Sequence, residues 1–282
     1  MTETRPLLAV DGDSFAHRAY HALPSSMRRA GGGPANAITG FLSMLLRLWE
    51  AERPRCVVVG WDSIGSPTYR NELLPGYQGG RVFDPEILEQ LDLLPGLVAA
   101  SGIVCGKAAG YEADDFLAAA VAFERRRGGM ALVATSDRDS FQLAGPDVTI
   151  LQPTRGVSEI TRVDGDGVVS RYGVRPDQVV DFIALRGDPS DRIPGARGVG
   201  EKTAAALLRE HGTLDAVLAA GRFPTQAEEL RLYRRIAQLD ETAPVPDLPD
   251  REPDWAAAGE AVSALGLDRL ARRLADASPG SA

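Results

Sequence analysis

Residues 110–116 read GYEADDF, with Glu112, Asp114 and Asp115 crowded just ahead of the apolar run Phe116, Leu117 and Ala118. Acids at such a point mark a helix start, because the first turn leaves backbone N–H groups unpaired and favours anions. The helix predicted here stops at Gly128-Gly129. Upstream lie a strand at Leu7–Val10 and a helix opening near Pro34 that runs through Ile38, Phe41, Leu42, Leu45, Leu46 and Trp49. A strand at Cys56–Gly60 follows, then a helix around Glu86–Ala100 interrupted by Pro95, and a short strand near Ile103. Downstream come strands at Met130–Ala134 and Val148–Leu151. Strands alternating with helices predict an α/β fold: a doubly wound, mainly parallel sheet with helices on both faces, whose ligands gather at the carboxyl ends of the strands.

From about Tyr172 the strands stop and helices are expected at Asp177–Arg186, Lys202–His211, Leu214–Ala220 and Gln226–Leu239, with a weak tail near Ala256–Ala275. The Pro- and acid-rich segment ETAPVPDLPDREPD reads as a connector. The chain therefore divides into residues 1–171, an α/β catalytic part, and 172–282, a helical part. Gly31–Gly33 is a loop, and without a following Gly-Lys-Ser/Thr it is not a nucleotide-binding loop.

At 282 residues, 44% hydrophobic and 25% charged, the composition is that of a globular protein with room for a substantial core. No apolar run is long enough to span a membrane, and the N-terminus lacks the basic-then-apolar order of a signal peptide, so a cytoplasmic place is expected. Cys56 and Cys105 stand beside apolar residues and read as buried thiols. The net charge of −8 argues against a nucleic-acid partner until the acids are placed.

They fall where such a sheet binds ligands. Asp11 follows the first strand in LLAVDGD, Asp62 the second in VVVGWD, and Asp137 and Asp139 the strand in ALVATSDRDS. Glu112, Asp114 and Asp115 share one helical turn, about 5.4 Å of rise, at an N-terminus facing the same rim. Asp188 and Asp191 lie in RGDPSDR, where Pro189 favours a loop. Carboxylates so crowded repel each other unless divalent cations compensate, and all-oxygen ligation selects Mg²⁺ or Mn²⁺ over zinc. Two such ions about 4 Å apart suit phosphodiester hydrolysis. Taking these nine acids from the charge of −8 leaves a remainder of +1. Taken singly, a strand-end acid reads first as a strand-terminal turn or helix cap, and only the whole constellation points to a metal site.

The stretch IPGARGVGEKTAAALL, residues 193–208, places Gly195, Gly198 and Gly200 between two helices and opens the second with Glu201, Lys202 and Thr203. Bare N–H groups there form a phosphate cradle that reads no base sequence; the plainer reading is a tight turn.

With these motifs the sequence resembles the 5′-nuclease family: bacterial flap endonucleases and the 5′–3′ exonuclease domains of bacterial DNA polymerases I. The resemblance runs from Leu7 to about Leu239 and rests on VDG, GWD, RNELLPGYQGGR, GYEADD, TSDRDSFQL, RGDPSDRIPG and GVGEKTA. It implies a structure-specific 5′ nuclease of replication and repair, acting by two metals on DNA with a 5′ single-stranded flap or end, and a monomer. Asp11, Asp62, Glu112, Asp114, Asp115 and Asp137 would surround one metal, and Asp139, Asp188 and Asp191 a second. Asp13 sits where the family does not need an acid and is left out. A helix-hairpin-helix at Gly198, Gly200, Lys202 and Thr203 would grip the duplex, with a potassium ion often bound. Residues from about Tyr77 to Glu89 would belong to a helical arch, taken here as about 77–100. Arg70, Tyr77 and Arg81 would contact DNA, Tyr77 by stacking on a base. The chain stops at 282, with no room for a polymerase, so a stand-alone nuclease is expected.

One position departs from the family. The residue after Tyr77 is usually a lysine that contacts the scissile phosphate, and here it is Gln78. Loss of that charge predicts a slower or differently selective enzyme, by on the order of 10²-fold, with Arg81 taking part of the role. It also admits a rival reading as a non-catalytic DNA-junction binder, while a nuclease acting on RNA is the other alternative.

Overall fold

The computed structural model describes residues 5–80, 82–155 and 159–277. The chain opens with β1 (Leu7–Asp11), α1 (Gly12–Ala22), α2 (Asn36–Glu52), β2 (Cys56–Gly60) and the short α3 (Tyr69–Leu73). It continues through α4 (Pro85–Ala100), β3 (Val104–Gly106), α5 (Ala113–Arg126), β4 (Ala131–Ala134), β5 (Val148–Arg155) and β6 (Glu159–Val163). Six strands form one sheet in the order β3-β2-β1-β4-β5-β6, parallel throughout except for β6, which returns antiparallel to β5. That order reverses direction between β1 and β4, the place where a doubly wound sheet opens a ligand crevice.

Both faces of the sheet are covered, which is why its inner strands read as unbroken apolar runs. Leu7, Ala9, Val58 and Val133 face a core shared with α5 and with α7 (Val179–Arg186), α8 (Glu201–His211), α9 (Leu214–Ala219) and α10 (Ala227–Ala237) once α6 (Gly165–Tyr172) has closed the strand region. Leu8, Val10, Val57 and Val59 point the other way, onto α1, α2, α4 and the last two helices, α11 (Trp255–Ser263) and α12 (Asp268–Ala275). Among the described residues no helix is long and apolar enough to cross a membrane.

Several expectations change. The helix α1 begins where the sequence predicts only a strand end, and α3, α6 and β6 are likewise not predicted by it. Pro95 does not interrupt α4, because Leu91, Leu94, Leu97 and Val98 bury its inner face and outweigh the missing hydrogen bond. That packing also makes 85–100 a core helix and not part of an arch, and Arg81 itself lies outside the described residues. The weak tail is two helices parted at Gly266, whose φ is 73°. They return to the opposite face of the sheet from α7–α10: Trp255 meets Trp49 of α2 at a ring distance of 5.6 Å. Residues 172–277 therefore do not share a single core. The connector carries the chain across, pinned where Arg55 donates to the Leu248 carbonyl at 2.9 Å and pairs with buried Glu124.

Candidate active site

The carboxyl ends of β1, β2 and β4 and the N-terminus of α5 converge on one cavity of about 250 Å³, lined by Asp11, Asp13, Asp62, Glu112, Asp114 and Asp137 together with Ser14, His17, Ile64, Gln78, Phe83 and Ala113. Sheet register brings the first acids together, since Asp11 pairs with Gly60, two residues before Asp62. Asp11 also caps α1, accepting from Ser14 N–H at 2.9 Å, and takes a second hydrogen bond from the Thr135 hydroxyl at 2.7 Å. Asp62 accepts from Ala113 N–H at 2.8 Å, which docks the first turn of α5 onto the end of β2. Asp114 accepts from the Ser140 hydroxyl at 3.3 Å, and Asp137 from Asp139 N–H at 2.9 Å.

Asp139, Asp188 and Asp191 do not line that cavity. They lie beside it, near enough that Asp137, Asp191 and Asp188 all act on the Asp139 carboxyl. Asp188 is held by Arg186 at 3.0 Å and by the Ser190 N–H at 2.8 Å. Asp191 is tied to the other side of the cleft, where Gln78 donates its side-chain Nε2 to Asp191 Oδ1 at 3.1 Å and its N–H to the Asp191 carbonyl at 3.2 Å.

Next along the chain is the glycine hairpin between α7 and α8. Gly187 and Gly195 let the two arms touch: a Cβ on Gly195 would sit 2.4 Å from Gly187 N. Gly198 and Gly200, by contrast, face open space, and Gly200 precedes the first residue of α8 without supplying a side-chain cap. Its first N–H groups are thus presented to solvent beside exposed Lys202 and Thr203, an anion-binding arrangement.

Comparison with known proteins accords with this geometry. Residues 6–173 match the 5′-3′ exonuclease N-terminal resolvase-like domain, and residues 174–255 the 5′-3′ exonuclease C-terminal SAM fold. The chain belongs to the 5′–3′ exonuclease family. It is 36% identical over 248 residues to a 5′-3′ exonuclease of Mycobacterium tuberculosis, covering 80% of this chain and 77% of that one. It is 42% identical over 218 residues to DNA polymerase I of Mycobacterium leprae, covering 76% of this chain and 24% of the polymerase, so it spans about a quarter of such relatives. The zinc-bound 5′-exonuclease of T5 has the same fold, with a TM-score of 0.71 at 20% identity, over 97% of this chain and 100% of that one.

Within this exonuclease-family chain four residues take places that the sequence does not predict. Asp115 is fully buried, with Arg70 at 2.7 and 2.8 Å on its two oxygens and the N–H groups of Glu112 and Asp240 at 3.1 and 2.9 Å. Its oxygens are occupied, so it braces α5 from behind. Arg70, expected on DNA, is 1% exposed and also donates to the Ile236 carbonyl at 3.0 Å, which leaves it closed to a phosphate. Tyr77, expected to stack on a base, is 4% exposed; its hydroxyl donates to Glu112 at 3.0 Å and accepts from Gln78 at 3.0 Å. Asp13, set aside in the sequence, lines the cavity and accepts from Asp62 N–H at 2.7 Å. Its signal was the missed α1, whose Phe15, Ala16 and Ala19 bury one helical face and carry Asp13 into the first turn.

The electrostatics test whether the site suits a cation. Burial pushes the Asp11 carboxyl up to about 7, opposed by the Ser14 and Thr135 hydrogen bonds and reinforced by Asp62 and Asp137. Glu112 is likewise raised to about 7 by burial, despite Arg70 beside it. Burial and neighbouring carboxylates hold Asp114, Asp139 and Asp13 well above the usual range. Among the described residues no three such side chains are drawn together as a bound ion would hold them, and their oxygens rest on separate N–H and O–H donors. Buried, mutually repelling and all-oxygen, the donor set fits hard divalent ions.

Proposed function

We propose that the chain is a divalent-metal-dependent 5′ nuclease that hydrolyses DNA phosphodiesters at a 5′ single-stranded flap or end. The carrying observation is the concentration of Asp11, Asp62, Glu112, Asp114 and Asp137 in one cavity, with Asp139, Asp188 and Asp191 beside it and an uncapped glycine hairpin following in the chain. The first set would hold one ion and the second set another, Mg²⁺ or Mn²⁺ by their oxygen donors. Such ions make water nucleophilic and offset charge on the phosphoryl oxygens. The side chains do the rest: Asp115 and Arg70 fix the start of α5, Thr135 and Ser14 orient Asp11, and the hairpin N–H groups with Lys202 and Thr203 hold duplex phosphates. The fully open backbone at Gly198 and Gly200 is consistent with a potassium ion there as well.

Labelled 5′-flap DNA, matched RNA and a small chromogenic phosphate ester, each incubated with Mg²⁺ or Mn²⁺, test the reading. The flap DNA should be cut, and Asp137→Asn should slow single-turnover cleavage by about 10²-fold or more. Binding of flap DNA by the unaltered chain without any cleavage would overturn it in favour of a junction binder; preferential cutting of RNA would reassign the substrate.

A further inference from the structure

The nuclease reading leaves a gap, since the charge that the family places after Tyr77 is missing and the amide found there is already committed. Both hydrogens of Gln78 Nε2 are used, on the Tyr77 hydroxyl at 3.0 Å and on Asp191 Oδ1 at 3.1 Å. The tie leads to the residue after Asp191. Arg192 lies with its guanidinium along the glycines that follow Gln78: a Cβ on Gly80 would stand 2.7 Å from Nη2, and one on Gly79 3.2 Å from Nη1. A side chain at either glycine would crowd that guanidinium.

Two further observations single Arg192 out. It is exposed, and among the described residues nothing accepts a hydrogen bond or ion pair from its guanidinium, whereas Arg70 is locked onto Asp115 and Arg186 onto Asp188. Arg192 and Gln78 also both hold left-handed backbone, with φ of 58° and 49°. Only Arg53 and Phe223 share that trait among the described non-glycine residues. Strained backbone of this kind persists only where surrounding structure imposes it. Here it occurs on both sides of one contact, the hydrogen bonds between Gln78 and Asp191.

We infer that Arg192 contacts a substrate phosphate at the cleft and supplies the positive charge that position 78 lacks, with Gln78 as the residue that positions it through Asp191. The inference rests on the nuclease reading. A guanidinium offers a planar fork to two phosphate oxygens, so it replaces a lysine contact with a bidentate one. Held against bare glycine backbone from a separate loop, it enters the cleft from the hairpin side and not from the arch side.

Arg192→Asn is the test variant, because Asn tolerates left-handed backbone while removing the charge. Its melting temperature should match the parent, and single-turnover cleavage of 5′-flap DNA should fall by about 10²-fold. The slope of log binding constant against log salt, measured in chelator where nothing is cut, should shrink by about 1. Adding Gln78→Lys to Arg192→Asn should recover most of the lost rate. An unchanged salt slope overturns the phosphate contact whatever the rate does, and failure of Gln78→Lys to rescue overturns the exchange of roles. If the parent cuts no flap DNA, the nuclease reading fails, and the salt slope still decides whether Arg192 meets phosphate.

Discussion

Arg70 spans the base of the site, 2.7 and 2.8 Å from the Asp115 oxygens and 3.0 Å from Glu112. Neither Arg70 nor Asp115 has more than a trace of exposed surface, so the two charges are held there chiefly by each other. Removing one member of a buried pair strands the other and costs about 3–5 kcal/mol. Arg70→Ala should lower unfolding free energy by that amount in urea titrations, while the salt dependence of DNA binding stays as it was. A lowered salt slope with unchanged stability would return Arg70 to the DNA surface. The motif containing Arg70 was legible in the sequence, but its burial was not, because the partners Asp115, Ile236 and Gln238 come from distant parts of the chain. The same holds for Tyr77, whose partners are Glu112 and Asp191.

The helix α5 delivers Glu112 and Asp114, and its seat is the last residue of β2. A Cβ on Gly60 would stand 2.5 Å from the Ala113 carbonyl oxygen, so only glycine allows the helix start to approach the strand this closely. Gly60→Ala should cost about 1–3 kcal/mol through overpacking. It should also lower cleavage more than Mg²⁺-free stability alone explains, since it moves the acids carried by α5 away from Asp11 and Asp62; wild-type turnover in the folded variant would refute this. The helix α5 itself was readable from GYEADDF because its cap, acids and apolar face are local. By contrast α1 was hidden behind Asp11, which is at once strand end, helix cap and site residue. β6 was hidden because an edge strand with exposed Glu159, Ile160 and Arg162 carries little apolar alternation.

Across the molecule, the acids crowd one rim while the folded core lies on both sides of the sheet, and the cost of that crowding depends on pH. Asp11 and Glu112 are raised to about 7 from unfolded values of 3.8 and 4.5, chiefly by burial. A folded state that holds protons more tightly than the unfolded chain is favoured at low pH. This contribution is therefore complete below about pH 4 and lost as pH rises through about 7. In chelator, the melting temperature should fall between pH 5 and 8, and Mg²⁺ should raise it more at pH 8 than at pH 5. A melting temperature indifferent to Mg²⁺ at pH 8 would argue that these acids bind no ion.

The alternation of apolar strands and amphipathic helices, and the acids at strand ends, determined the sheet and its rim from sequence alone, because period and position are properties of neighbouring residues. Tertiary structure alone decided which acids face the cavity. Asp13 turns in, Asp115 turns to Arg70, and Asp191 is held by Gln78, because burial and partner choice are set by contacts between segments far apart in the chain. The placement of α11 and α12 on the opposite face from α7–α10 has the same origin: an amphipathic helix declares that one face must be covered, but the sheet face it finds depends on the path of the connector before it.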